Sequence, residues 1–125
     1  MRHAGGIALL VLFFTYPSSA DARPRTPAKR AAYTATAYCK KGETASGEQT
    51  RRGIAAADPR YIPLGSTVRI SGVGVRRGNY VVQDAGVKGK RIDIFMPSCR
   101  DAKRFGKKRV QLQIIERAEP AAEHR

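Results

Sequence analysis

The residues best suited to chemistry in this 125-residue chain are its aspartates. Only 10 acidic residues stand against 24 basic ones, so the place of each acid carries information. Asp58 closes the apolar run Gly53-Ile54-Ala55-Ala56-Ala57. Asp84 follows Tyr80-Val81-Val82-Gln83, and Asp93 sits inside the alternating stretch Arg91-Ile92-Asp93-Ile94-Phe95. An acid within or beside a β-type run has apolar neighbours that disfavour its charge. Its pKa then rises, and it can serve as a general acid near neutral pH. An Asp after a strand is also an ordinary turn cap, which is the plainer reading of any one of the three. The other acids between residues 33 and 115 have simple explanations: Asp101 caps a helix, and Glu43 and Glu48 fall in a polar, glycine-containing loop. Arg51-Arg52, Arg76-Arg77 and the group Lys88, Lys90 and Arg91 flank the three aspartates. A neighbouring cation lowers a carboxyl pKa, against the effect of burial, and it attracts an acidic substrate.

The elements that would carry these acids are mostly strands. Residues 33–38, 68–70, 80–82, 91–95 and 110–114 are β-branched, aromatic or alternating, with glycine-rich turns between them. In the stretch 91–95, Ile92 and Ile94 share one face and Asp93 takes the other. One short helix is expected over 99–105, with Ser98 as its cap, Asp101 three residues on as in a capping box, and Gly106 as its stop. Short strands with one small helix read as an all-β closed barrel.

The N-terminus bears on where the chain works. Arg2 and His3 lead into the apolar run 7–14, and small residues follow through Ala20-Asp21-Ala22. That order reads as a secretory signal peptide over 1–22. The run is shorter than the roughly 20 residues a membrane span needs. Residues 23–32 read as a basic, extended leader, 33–115 as the domain and 116–125 as a polar tail. The formal charge is +14, and losing Arg2 with Asp21 leaves it unchanged. In an exported chain such charge points away from nucleic acid and toward anionic polymers of the cell envelope. Cys39 and Cys99 are the only cysteines, an even count that in an exported chain suggests one disulfide, two free thiols being the alternative. No His, Cys and acid cluster has metal-ligand spacing, so neither a metal nor a cofactor is expected.

Two stretches resemble signatures of the three-aspartate (3D) domain family: residues 52–65, Arg-Gly-Ile-Ala-Ala-Ala-Asp-Pro-Arg-Tyr-Ile-Pro-Leu-Gly, and residues 83–95, Gln-Asp-Ala-Gly-Val-Lys-Gly-Lys-Arg-Ile-Asp-Ile-Phe. Thr34-Ala35-Thr36-Ala37-Tyr38 before them, and Phe105-Gly106 with Val110-Gln111-Leu112 after them, fit the same pattern in the same order. The resemblance implies a small six-stranded double-psi β-barrel with one short helix, similar to the catalytic barrel of membrane-bound lytic transglycosylase A. It implies that Asp58, Asp84 and Asp93 are the family's three acids and that the substrate is the glycan strand of peptidoglycan. It further implies lytic transglycosylase-like cleavage between N-acetylmuramic acid and N-acetylglucosamine. Asp93 would be the acid/base, Asp84 would tune or orient it, and Asp58 would support the site and substrate. Lys88, between Gly86 and Gly89, and Arg91 would contact substrate. This sequence departs from the family's usual Asp-Thr-Gly-Gly-Ala-Ile-Lys-Gly: its loop is about two residues shorter, and Ala85 replaces Thr. The alternatives are a non-catalytic, expansin-like module that binds or remodels the wall, and a protein acting by charge alone. The expected partners are peptidoglycan and anionic envelope polymer, the expected state a monomer, and the expected place the periplasm or the extracellular wall.

Overall fold

The computed structural model describes residues 5–6, 9–12 and 29–120. Apart from those residues, the expected signal peptide and leader lie outside the described residues, as does the tail beyond residue 120.

Six strands and one helix follow in chain order: β1 (Arg30–Tyr38), β2 (Ile54–Ala57), β3 (Thr67–Ser71), β4 (Gly78–Asp84), β5 (Arg91–Phe95), α1 (Cys99–Phe105) and β6 (Lys108–Glu116). The strands close into a barrel in the order β1-β5-β2-β4-β3-β6. β1 with β5, and β2 with β4, run parallel; the other four pairings are antiparallel. The expected all-β barrel with a single short helix is thus the observed fold.

Helix α1 ends where its caps dictate. Ser98 Oγ accepts from the Asp101 amide at 3.3 Å, and Gly106 adopts a φ of 63° just past the last turn. That region is strained for residues with a Cβ, so glycine is the natural stop.

Strand β2 was not expected. Its sequence, Ile-Ala-Ala-Ala, has weak β-propensity, and alone it reads only as an apolar run. Packing explains it. Across the barrel wall, Ile92 of β5 lies between Ala35 of β1 and Ala57 of β2, and Ile94 lies between Ala37 and Ala55. Alanine on both sides of each isoleucine lets a narrow six-stranded wall close around large side chains. Ile92, Ile70, Val68, Val82 and Leu112 fill the interior from four strands and are essentially inaccessible. Full burial of such a side chain contributes about 1.5–3 kcal/mol.

Cys39 and Cys99 form a disulfide that ties the end of β1 to the start of α1. It closes a loop across a sequence separation of 60, which restricts the unfolded chain by about 4 kcal/mol on loop-entropy grounds.

Candidate active site

Pairing register, rather than sequence distance, brings the acids together. Thr36 of β1 pairs with Asp93 of β5, Asp93 pairs with Ala56 of β2, and Ala56 pairs with Asp84 of β4. Residues paired across strands share a face of the sheet. Ile92, Ile94, Ala55 and Ala57 take the inner face, so the row Thr36–Asp93–Ala56–Asp84 lies on the outer one. Two carboxylates nine residues apart in the chain therefore flank a single alanine.

A bulge makes this possible. Ile54 pairs with Val81 and Ala55 with Val82, but Ala56 pairs with Asp84, so Gln83 is the extra residue. Had the register continued, Gln83 would face outward beside Ala56, and Asp84 would turn toward the core. Bulges commonly re-aim a side chain beside a functional site.

Loop 39–50 completes the surroundings of Asp84. It is closed on itself by a Glu43–Gln49 bridge and by Thr44 Oγ1 donating to the Glu48 carbonyl at 2.8 Å. The Ser46 amide donates to the Gln83 carbonyl at 3.0 Å, and the Ala45 amide donates to Asp84 Oδ1 at 3.1 Å. The Ala85 amide donates to the same oxygen at 2.9 Å. The disulfide holds the start of this loop against α1. Glu43 and Glu48 are exposed, as their polar surroundings suggested, but the loop between them is a built element.

Asp93 is half-buried, and burial pushes its carboxyl pKa up. The hydrogen bond from Thr36 Oγ1 at 3.0 Å and the charge of Arg91 act in the opposite direction, and Asp84 adds to the rise. Tyr38, two residues beyond Thr36, stands edge-on to Phe95 with ring centroids 5.4 Å apart. Its hydroxyl is buried and has no hydrogen-bond partner among the described residues. Burial, then the charges of Asp84 and Asp93, push its pKa up to about 12. Tyr38 and Asp84 line one cavity of about 280 Å³ with Lys40, Lys41 and Thr50.

Asp58 has a different setting. Its carboxylate is buried and fully engaged. Oδ1 accepts from the Arg60 amide at 3.0 Å. Oδ2 accepts from Arg60 Nη2 at 2.7 Å and from the Gly89 amide at 2.9 Å. The Arg60 side chain, then the Gly89 amide, hold its pKa far below the usual carboxylate range. Asp58 thereby fastens loop 86–89 to the end of β2, with Gly89 at a φ of 75°. Gly86 and Lys88 line a second cavity, of about 330 Å³, with Asp58 and Arg60. Arg91 is exposed at the start of β5.

Of the residues singled out from the sequence, then, Asp84 and Asp93 share a row, while Asp58, Gly86, Lys88 and Gly89 gather around the neighbouring loop. Thr36 and Tyr38 were missed as site residues. Both belong to the Thr-Ala-Thr-Ala-Tyr stretch, where period-two spacing with the parallel β5 partner would have placed them on the Asp93 face.

Residues 53–116, about half of the chain, match the family model of the 3D domain. The chain belongs to the 3D domain family. This 3D-domain protein is similar to YabE of Bacillus subtilis, named for shaping the cell wall, with 37% identity over 90 residues that cover 67% of this chain and 21% of YabE. It is also similar to the cell wall-binding protein YocH of Bacillus subtilis, with 36% identity over 98 residues, 70% of this chain and 33% of YocH. The chain thus spans about a fifth to a third of these relatives' length.

Among solved structures, the 3D-domain barrel is similar to an apo form of an E. coli lytic transglycosylase MltA variant. The TM-score is 0.53 at 18% identity, over 64% of this chain and 29% of that one. It is similar to the Streptomyces papain inhibitor with a TM-score of 0.55 at 18% identity, over 73% of this chain and 98% of that one. At such identities the likeness is one of fold.

Proposed function

We propose that this 3D-domain protein acts outside the cytoplasm on the glycan strands of peptidoglycan, by lytic transglycosylase-like cleavage. The observation that carries the reading is Asp93: a half-buried carboxyl, raised in pKa by burial, beside a second carboxylate on the outer wall of the barrel. The names of the wall-shaping and wall-binding relatives, the fold shared with MltA and the disulfide support the substrate and the location.

In this reading, protonated Asp93 donates its proton to the bridging oxygen between N-acetylmuramic acid and N-acetylglucosamine. The bond from the anomeric carbon to that oxygen breaks, and the alcohol leaves. The sugar's own 6-hydroxyl attacks the anomeric carbon and returns its proton to Asp93, leaving a 1,6-anhydro end. One residue thus acts as acid and then as base. Asp84, fixed by two backbone amides, stays close and adds to the rise in the Asp93 pKa that burial begins. Tyr38 stands with Asp84 in the wall of the neighbouring cavity, its buried hydroxyl without a partner among the described residues. Asp58 holds loop 86–89, and with it Lys88, at the edge of the site.

Digestion of purified sacculi with the chain lacking residues 1–22, followed by mass spectrometry, tests the proposal. The expected products are 1,6-anhydromuramyl ends that disappear in Asp93→Asn. Retained binding to sacculi with no such product from the unaltered chain would establish the second reading, a non-catalytic wall-binding module. Ala85 favours that reading: it provides no hydroxyl beside Asp84 where the resembled motif has threonine.

A further inference from the structure

The end of the barrel opposite loop 86–89 carries a second feature, made from the starts of β2, β4 and β6 and the end of β5. Two cavities of about 340 and 380 Å³ adjoin there, sharing Arg52 and Met96 in their walls. Each volume is within the range of ligand sites, about 300–1,000 Å³. Arg76 and Arg77 stand over one cavity, Arg104 and Lys108 over the other, and Arg52 between them. Phe95 and Met96 contribute an apolar floor.

These five cations differ in kind from Arg60. Among the described residues none of them has a carboxylate within 4 Å, whereas Arg60 Nη2 lies 2.7 Å from Asp58. The acid lining this end, Asp101, lies 3.8 Å from Arg100 Nε instead. Like charges gathered around a concavity repel one another, and the low-dielectric wall focuses their field outward. A bound anion relieves both effects. Arginine suits the task because its planar fork matches phosphate and carboxylate oxygens. Two adjoining cavities with cations along their length fit a chain of anions better than a single one. An apolar floor fits the uncharged links between those anions.

We infer that this cationic cleft binds a linear polymer bearing repeated phosphate or carboxylate groups, at the far end of the barrel from Asp58. The inference does not depend on glycan cleavage. Such an attachment would hold the domain on an anionic matrix.

The test is a fluorescence-anisotropy titration of the chain lacking residues 1–22 with labelled poly(glycerol phosphate) and, separately, with labelled poly(glutamate). The expected result is binding of at least one polymer. It weakens about tenfold in the Arg52→Ala/Arg76→Ala/Arg77→Ala variant, given the modest contribution of each exposed ion pair. The slope of log affinity against log salt becomes shallower by up to about three, one for each anionic group that the variant no longer neutralises. A control variant with the same change in net charge, Lys103→Ala/Lys107→Ala/Arg109→Ala, is expected to bind within about twofold of the unaltered chain. The stronger of the two polymers identifies the preferred anion. Equal weakening in the two variants would show diffuse attraction and overturn the inference, as would unchanged binding in the cleft variant. The same variants are co-sedimented with vesicles of anionic lipid; a loss in the cleft variant seen with vesicles and with neither polymer would make the cleft a membrane-binding surface and overturn the inference also.

Discussion

Asp58 and Asp93 lie on neighbouring, directly paired strands or just past their ends, yet their surroundings act on them in opposite ways. Around Asp58 the protein supplies a guanidinium and two backbone amides, so the charged form is favoured, and the residue works as a fastener. Around Asp93 it supplies one hydroxyl and a half-buried wall, so the neutral form gains. A carboxylate with its acceptors filled has little reason to take up a proton. One that is short of donors holds its proton further up the pH scale and can deliver it. Three aspartates in a family pattern therefore need not share one task. Hydrogen-bond supply separates an acid held in its charged form from one whose neutral form is favoured.

The largest expected effect falls on the side of chemistry. Asp93→Asn should lower anhydromuramyl product formation by 100-fold or more, in line with the contribution of a general acid. Asp58→Asn should act chiefly through folding. Comparable initial-rate losses in the two variants, at equal folded fraction, would erase the distinction.

Stability should show opposite signs. The folded pKa of Asp58 is depressed, so its stabilising contribution is present above the ordinary carboxyl value of about 4 and is lost as pH falls below it. Asp58→Asn should therefore lower Tm by several degrees at pH 7, and the deficit should shrink at pH 3. The folded pKa of Asp93 is raised, so its ionisation opposes folding at neutral pH, and that penalty vanishes below about pH 4. Asp93→Asn should raise Tm at pH 7 and leave it nearly unchanged at pH 3. Thermal melts of both variants at the two pH values check this pair.

Smaller effects probe the surroundings of Asp93. Tyr38→Phe should leave the rate within about twofold and hold or slightly raise Tm, because the buried hydroxyl has no partner among the described residues. A clear fall in Tm would show that the hydroxyl is satisfied in the folded chain. Thr36→Val removes a hydrogen bond that lowers the Asp93 pKa, at a cost of about 1 kcal/mol in stability. The proposed mechanism needs Asp93 protonated, so on that reading the alkaline limb of the pH–rate profile should move to higher pH. A limb that stays in place would separate Thr36 from the titrating group.

Much of this arrangement was legible in the chain. The alternation around Ile92 and Ile94 marked β5 and put Asp93 on the opposite face. Ser98 and Gly106 set the ends of α1, because capping is a local matter of backbone amides and one side chain. The two signature stretches pointed to a six-stranded barrel. β2 was harder to see, since three alanines carry almost no strand signal. They become a strand only because the isoleucines of β5 require small neighbours. Loop 39–50 read as solvated surface, and its attachment to β4 depends on amides that composition does not mark.

Local spacing and side-chain chemistry were enough to name the candidate acids, to start and stop the helix, and to choose the side of β5 on which Asp93 falls. The closed barrel was needed for the rest: Asp84 joins Asp93 across Ala56, Asp58 is consumed by Arg60 and Gly89, and the Tyr38 hydroxyl is buried without a partner among the described residues. Each of these depends on register, and register is set by how several distant strands pack at once. The single extra residue at Gln83 shows the scale of that dependence: without it, the second carboxylate would face the core.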